Sequence, residues 1–298
     1  MSSYFEATAR QRIAAIVSQF QEILPPSARW TSPHLPQLDA PVSFDDGVII
    51  GYGKLAGQRV FAAAQEGGFM GGAVGEVHGA KLVGLMRKAL IERPAALILL
   101  LESGGVRLHE ANAGLIAVSE VMRALLAVRA AGIAVIVAIG GSNGCFGGIG
   151  IVARCANVVI MSETARLAMS GPEVIETASG VEEFDSTDRA LVWRTTGGKH
   201  RYLLGDCQML VDDRCSAFVA AIASAIEQVG SAAALNERGL LAEQQMLSER
   251  LARFGTLREP QQIWTALGVA DVERIAMMET AEFLQLVQDL PARTLGVA

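Results

Sequence analysis

Apolar positions along the chain fall into two rhythms. Over residues 8–24, Ile13, Ile16, Phe20 and Ile23 recur at helical spacing and predict an N-terminal helix, closed by Pro25-Pro26. A polar, proline-dotted loop follows to about Val42. From about 43 to 230, short apolar runs alternate with helical stretches. Val48–Tyr52 and Arg59–Ala62 flank Ala56-Gly57 and predict a hairpin. Leu82, Leu85, Met86, Ala89 and Leu90 mark one helix face, ended by Pro94. Ala96–Leu101, Ala134–Ile139 and Val158–Met161 are apolar at every position, which predicts strands of a parallel sheet covered on both faces. Between the first two, Leu115, Val118, Met122 and Leu125 predict a helix with that face inward. Beyond 230 the pattern is helical. Leu240, Leu247, Leu251 and Phe254 mark one amphipathic helix, and Val272, Ile275, Phe283 and Val287 another near the end.

Two buried strands each run into a glycine loop and then a helix. The loops are Ser103-Gly104-Gly105-Val106-Arg107 and Cys145-Phe146-Gly147-Gly148-Ile149-Gly150. Ligands of α/β folds gather at the carboxyl ends of strands. Glycine lets a ligand approach the backbone, and the first N–H groups of a helix lack internal partners. Two such loops facing each other can offer two donors to one oxygen, an oxyanion hole. Taken singly, each loop is also consistent with an ordinary turn. Neither is a nucleotide fingerprint, because a P-loop lysine and a G-x-G-x-x-G turn are both missing.

Composition narrows the field. With 298 residues, 51% hydrophobic and 19% charged, the chain can bury a sizeable core. A net charge of -6, no Lys/Arg run and only 5% aromatics argue against nucleic acid as a partner. The longest strongly apolar stretch, around Ala131–Ile139, is too short for a bilayer, and Met1–Glu6 shows no signal-peptide pattern. The mean hydropathy of +0.35 reads as core plus subunit interface rather than membrane. Cys145, Cys155, Cys207 and Cys215 form no CxxC pair, so the expectation is buried thiols in a reducing cytoplasm and no metal site.

Several segments resemble the carboxyltransferase branch of the crotonase superfamily. Phe69-Met70-Gly71-Gly72-Ala73-Val74-Gly75-Glu76-Val77-His78, with Lys81 in place, is similar to that branch's FGGSxGEVxxEK element. Glu102-Ser103-Gly104-Gly105-Val106-Arg107-Leu108-His109-Glu110 is similar to its SGGARMQE element, and 144–150 to its second glycine loop. Within the branch, 106–114, Gly171–Glu176 and Thr196–Tyr202 resemble the β subunits of biotin-independent malonate decarboxylases. No cysteine precedes Cys145, unlike the four-cysteine zinc ribbon of bacterial acetyl-CoA carboxylase β subunits. The resemblance implies an α/β, crotonase (ClpP)-like ββα superhelix with added terminal helices. It gives one carboxyltransferase-like domain over 1–298, with a core of about 43–230, an N-terminal helix at 8–24 and a C-terminal helical region at 231–298.

The resemblance also implies the chemistry. A γ subunit supplies the other half of the site, and a separate α subunit acts as acyl transferase. The malonyl group rides on the CoA-derived prosthetic group of an acyl carrier protein, and no cofactor is bound by this chain. Loss of CO2 leaves an enolate held by backbone N–H groups of Gly147 and Gly148, with Gly105 or Val106. Gly104, Phe146, Arg107 and His109 are the expected substrate-binding residues. His109 serves either as a proton donor or carrier-arm contact, or as a helix N-terminal hydrogen bond. Arg107 holds either an anion or a structural ion pair with Glu76 or Glu110. Glu102 is expected to stabilise its loop, and His78 and His200 to be structural. Lys199 and Arg201 are expected at the surface, where an acidic carrier could meet them. Ser103 has no His–Asp support for a triad. The rival readings are a biotin-dependent carboxyltransferase subunit and a scaffold completing a partner-owned site.

Overall fold

The computed structural model describes residues 2–39, 42, 44–230, 234–288 and 290. Helix α1 (Ala9–Ile16) opens on a capping box between Thr8 and Gln11. The helix expected over 8–24 stops there. Val17 is extended, and Ser18–Ile23 forms strand β1, which lies antiparallel on β2 (Val48–Leu55) with Ile23 opposite Ile50. A register shift between Ser18 and Gln21, with Gln19 at φ 54°, gives β1 a bulge. Phe20 and Ile23, three residues apart, fall on opposite faces of the strand and pack on different clusters. The open edge of β2 supplies backbone partners that the local pattern does not reveal.

Strands β2 (Val48–Leu55) and β3 (Gln58–Gln65) form the expected hairpin. Ala56 and Gly57 both have positive φ, 48° and 80°, as a tight hairpin turn requires. Strands β4 (Ala96–Leu101), β5 (Ala134–Ile139), β6 (Val158–Ser162) and β7 (Met209–Val211) continue the sheet in parallel, in the order of the chain. Alternate residues serve opposite faces. Leu97, Leu99 and Leu101 join the cluster under α2 (Glu76–Glu92), α3 (Asn112–Ala130) and α4 (Gly147–Arg154). Ala96, Ile98 and Leu100 join the cluster under α1 and α8 (Cys215–Val229). Both faces are thus covered, which is why β4 and β5 carry no polar residue.

A second, minimal ladder crosses the strand ends. Val74 bridges Val106, Ser103 bridges Cys145, and Cys145 bridges Leu167, all in parallel. Strand, one-residue bridge and helix repeat along the chain, a ββα unit with its second strand reduced to a bridge.

Helix α3 turns a slightly different face inward than its pattern predicts. Gly114, Ala117, Val118, Val121 and Leu125 are buried, whereas Leu115 is 58% exposed. The cause is the close approach of α2, where Gly79 packs on Ala117. Helices α5 (Pro172–Ser179), α6 (Arg189–Thr196) and α7 (Gly198–Leu203) follow β6. In the C-terminal region, α9 (Glu237–Phe254) exposes Leu240, Leu247 and Leu251, so of its expected stripe only Phe254, with Met246 beside it, packs on this chain. The last expected helix divides into a 3-10 segment (Val272–Met277) and α11 (Thr280–Leu286). With α10 (Pro260–Ala266), these pack Trp264, Ile275, Phe283 and Val287 onto Leu203 and Leu210. Residues 231–233, 289 and 291–298 of the expected region lie outside the described residues. Among the described residues no helix is long and apolar enough to cross a membrane.

Candidate active site

The two glycine loops meet at the carboxyl ends of β4 and β5. The Ser103 N–H donates to the Gly144 carbonyl at 2.8 Å, and the Phe146 N–H to the Ser103 carbonyl at 2.9 Å. Gly147 and Gly105 hold φ values of 64° and 133°, open to glycine and to few other residues. A Cβ on Gly147 would lie 3.2 Å from the Gly105 Cα, so the loops touch where they cross.

Of the four expected donors, two are occupied. The Gly147 N–H donates to the Met169 carbonyl at 2.9 Å, and the Gly105 N–H to Ser103 Oγ at 3.2 Å. Their contribution is shape, not hydrogen bonding. The Val106 and Gly148 N–H groups have no acceptor among the described residues. Gly148 is the second residue of α4, where an N–H carries the positive end of the helix dipole. Val118 packs directly beneath it, since a Cβ on Gly148 would lie 2.5 Å from Val118 Cγ1.

The expected substrate contacts fare unevenly. Gly104 is exposed at the rim, its N–H tied to the Gly71 carbonyl at 2.8 Å. Phe146 is buried against Gly144, with Arg166 over its ring at 5.7 Å, so it shapes the loop from behind rather than walling a pocket. Arg107 is 3% exposed and spends its guanidinium inside the protein, on the Ala73 carbonyl, Asp45 and Glu110. It is not available to a ligand. Asp45 takes the place expected for Glu76. Burial would raise its pKa, but the Arg107 bonds and charge hold it below the ordinary carboxylate value. His109 is exposed on the turn Leu108–Glu110, and its ring makes no hydrogen bond among the described residues.

Structural roles account for the remaining polar groups. His78 is buried beside Gln65, at 3.1 Å, and His200 accepts from Trp264 Nε1 at 3.0 Å. Burial pushes each imidazole down to about 3, so both are neutral. Lys199 is buried rather than at the surface, capping the Ile275 and Met278 carbonyls and pairing with Glu163. Arg201 is likewise engaged, with Asp206 and the Thr195 carbonyl. Burial raises the Cys145 thiol and brings Cys207 up to about 12. Among the described residues no cluster of three His, Cys, Asp or Glu side chains is placed to hold a metal.

Sequence reasoning passed over Arg12, which pairs with Glu102 beneath the loops. The signal was present, because Ala9, Arg12, Ile13 and Ile16 make one buried helix stripe, and a cation on such a stripe needs a buried anion. A groove of about 430 Å³ lies to one side, between the His34–Leu38 turn and the N-terminal halves of α2 and α3. Leu38, Ala80, Val83 and Ile116 line it, and the glycine loops do not. Val106 and Gly148 are both partly exposed.

The carboxyl transferase domain model matches residues 6–210. The chain belongs to the carboxyl transferase domain family. It is 39% identical to a malonyl-S-ACP:biotin-protein carboxyltransferase of Malonomonas rubra, over 97% of both chains. It is 28% identical to the propionyl-CoA carboxylase beta chain of Saccharopolyspora erythraea, covering 67% of this chain but 36% of that one. Among solved structures it is similar to a chain of a Pseudomonas malonate decarboxylase hetero-tetramer in complex with malonate. That match has a TM-score of 0.77 and 35% identity, covering 87% of this chain and 94% of that one. The crotonase-like α/β fold is common to this family, and the relatives named here are a carboxyltransferase, a carboxylase chain and a malonate decarboxylase chain.

Proposed function

We propose that this chain is the β subunit of a malonate decarboxylase. Together with a γ subunit it releases CO2 from a malonyl thioester on an acyl carrier protein, without biotin. One observation carries the reading: the unpaired Val106 and Gly148 N–H groups, on two loops that touch through Gly105 and Gly147. Placed against the thioester oxygen, they stabilise the enolate left by CO2. Such donors matter most where charge develops, each contributing about 10²–10³ in kcat. The enolate then takes up a proton, from water or from the γ subunit. A separate α subunit loads malonate onto the carrier.

The openness of the site supports a shared one. Leu108, Leu115, Ile116, Met70 and Met169 are exposed on the segments that carry or flank the loops, apolar side chains that a second subunit would cover. The chain also corresponds to only 36% of the propionyl-CoA carboxylase beta chain, which leaves room for a second unit of this kind. Four unpaired cysteines suit a cytoplasmic setting.

A second reading has its own support. The Malonomonas relative is named for transfer to a biotin protein, and the same donors would serve that reaction. The deciding experiment follows CO2 release from malonyl-CoA or malonyl carrier protein, by this chain alone and with its γ partner. Release in the mixture alone, without biotin, is the expected result. No release until a biotin carrier is added would transfer the assignment to carboxyl transfer.

A further inference from the structure

Two buried charges run beneath the site. Glu102 joins β4 to the first glycine loop, and its N–H donates to Gln65 Oε1 at 3.0 Å. Its Oε2 pairs with the Arg12 guanidinium of α1. Its Oε1 accepts from Ser142 Oγ at 3.2 Å and from the Asn143 N–H at 3.1 Å. Ser142 and Asn143 lie on the stretch that leads from β5 into the second loop. Arg12 is fixed in turn by the Tyr4 carbonyl at 3.1 Å and by the Tyr4 ring, 4.7 Å from its guanidinium carbon. The side chains of Arg12 and Glu102 are 2% and 5% exposed.

The backbone closes on the carboxylate from two directions. A Cβ on Gly67 would lie 2.5 Å from Glu102 Cδ, and Gly141 packs on the same carboxylate. Glu102 is therefore a fixed spacer between the ends of β4 and β5. A buried ion pair is seldom the most stabilising filling for such a space, because desolvation consumes the Coulombic gain. What a carboxylate adds over an apolar side chain is an acceptor that holds Asn143 and Ser142 in place.

We propose that Glu102, anchored by Arg12, is a positioning residue that sets the separation of the Val106 and Gly148 N–H groups. The inference rests on the oxyanion reading above. Glu102 acts through the loops and does not touch the reacting atoms.

The test uses the assembled complex turning over malonyl carrier protein, with two double variants. Arg12→Met with Glu102→Leu removes both charges and the acceptor. Arg12→Met with Glu102→Gln removes both charges and keeps an acceptor for Asn143. Neither leaves a lone buried charge; the leucine double also leaves the Asn143 N–H without its acceptor and should melt lower, so rates are compared well below both midpoints. The leucine double is expected to lose about 10–100-fold in kcat with KM little changed, because small misplacement of catalytic groups costs that much. The glutamine double should stay within about three-fold of the unmodified complex. Equal kcat in the two doubles, fast or slow, overturns the proposal. Should the leucine double not fold, Ser142→Ala takes its place, with about three-fold lower kcat expected at an unchanged midpoint. An unchanged kcat there overturns the proposal as well. A full rate in Gly148→Ala removes the oxyanion reading itself, and this inference with it.

Discussion

At Gly148 a single methyl group is expected to be costly. The added Cβ would meet Val118 Cγ1 at 2.5 Å, so the first turn of α4 must lift or Val118 must turn aside. Lifting moves the Gly148 N–H away from its Val106 counterpart. Gly148→Ala should lower kcat by about 10²-fold, and Val118→Ala in the same chain should return part of it. Steady-state rates of the two variants check this, and no recovery in the double would point to another cause. At this scale the sequence was partly legible. Strand–glycine–helix order located both loops, while the four candidate donors on them came from the family resemblance. It did not reveal that Met169 takes the Gly147 N–H, because that bond joins backbone atoms and leaves no side-chain signature. Arg107 shows the same limit. Glu110, three residues away, was foreseeable, but Asp45 is brought in by the fold.

Helix α4 is held at both ends. Its N-terminus touches the first loop, and Arg154 at its C-terminus binds the Asp206 carbonyl at 2.8 Å. The Asp206 carboxylate also pairs with Arg201 of α7 and with Arg250 of α9. Burial would raise its pKa, yet Arg154, Arg201 and Arg250 keep it below the ordinary value. Asp206→Asn should cost about 1–3 kcal/mol, since it leaves three partly buried guanidinium groups without their anion. Amide hydrogen exchange should quicken across α9 first, since Arg250 is its main tether to the core. Exchange that rises evenly over the whole chain would argue against this hub. Continuous apolar runs made β4, β5 and β6 easy to read, because both faces of the sheet are covered. Strand β1 and the exposed leucines of α9 were not readable, because an edge partner and an unpartnered helix face look alike in a local pattern.

For the whole molecule, the buried histidines set an acid limit. His78 and His200 sit at about 3 in the fold against an ordinary 6.5. Below pH 6.5 the unfolded chain therefore binds protons that the folded chain refuses. Their contribution is complete above that value and is lost as pH falls toward 3, by about 1.4 kcal/mol per pH unit for each histidine. Asp45 and Asp206 add to the loss only near and below their ordinary 3.8. Urea midpoints of the isolated chain should fall steadily from about pH 6.5 to 5, and His200→Gln should roughly halve that slope. Parallel profiles for the two proteins would show that His200 is protonated in the fold. The order of the sheet carries a different consequence, for synthesis. Because β1 to β7 are neighbours in chain order, each strand can join an existing edge as it leaves the ribosome. The N-terminal segment cannot finish so early. Ser3 and Phe5 bind Asp213, and Tyr4 stacks on Phe218 at 3.9 Å. At about 5–20 residues per second, residues 3–5 wait about 10–40 s for the partners that fasten them. The chain begins to build its sheet from one end, then locks it with that same end.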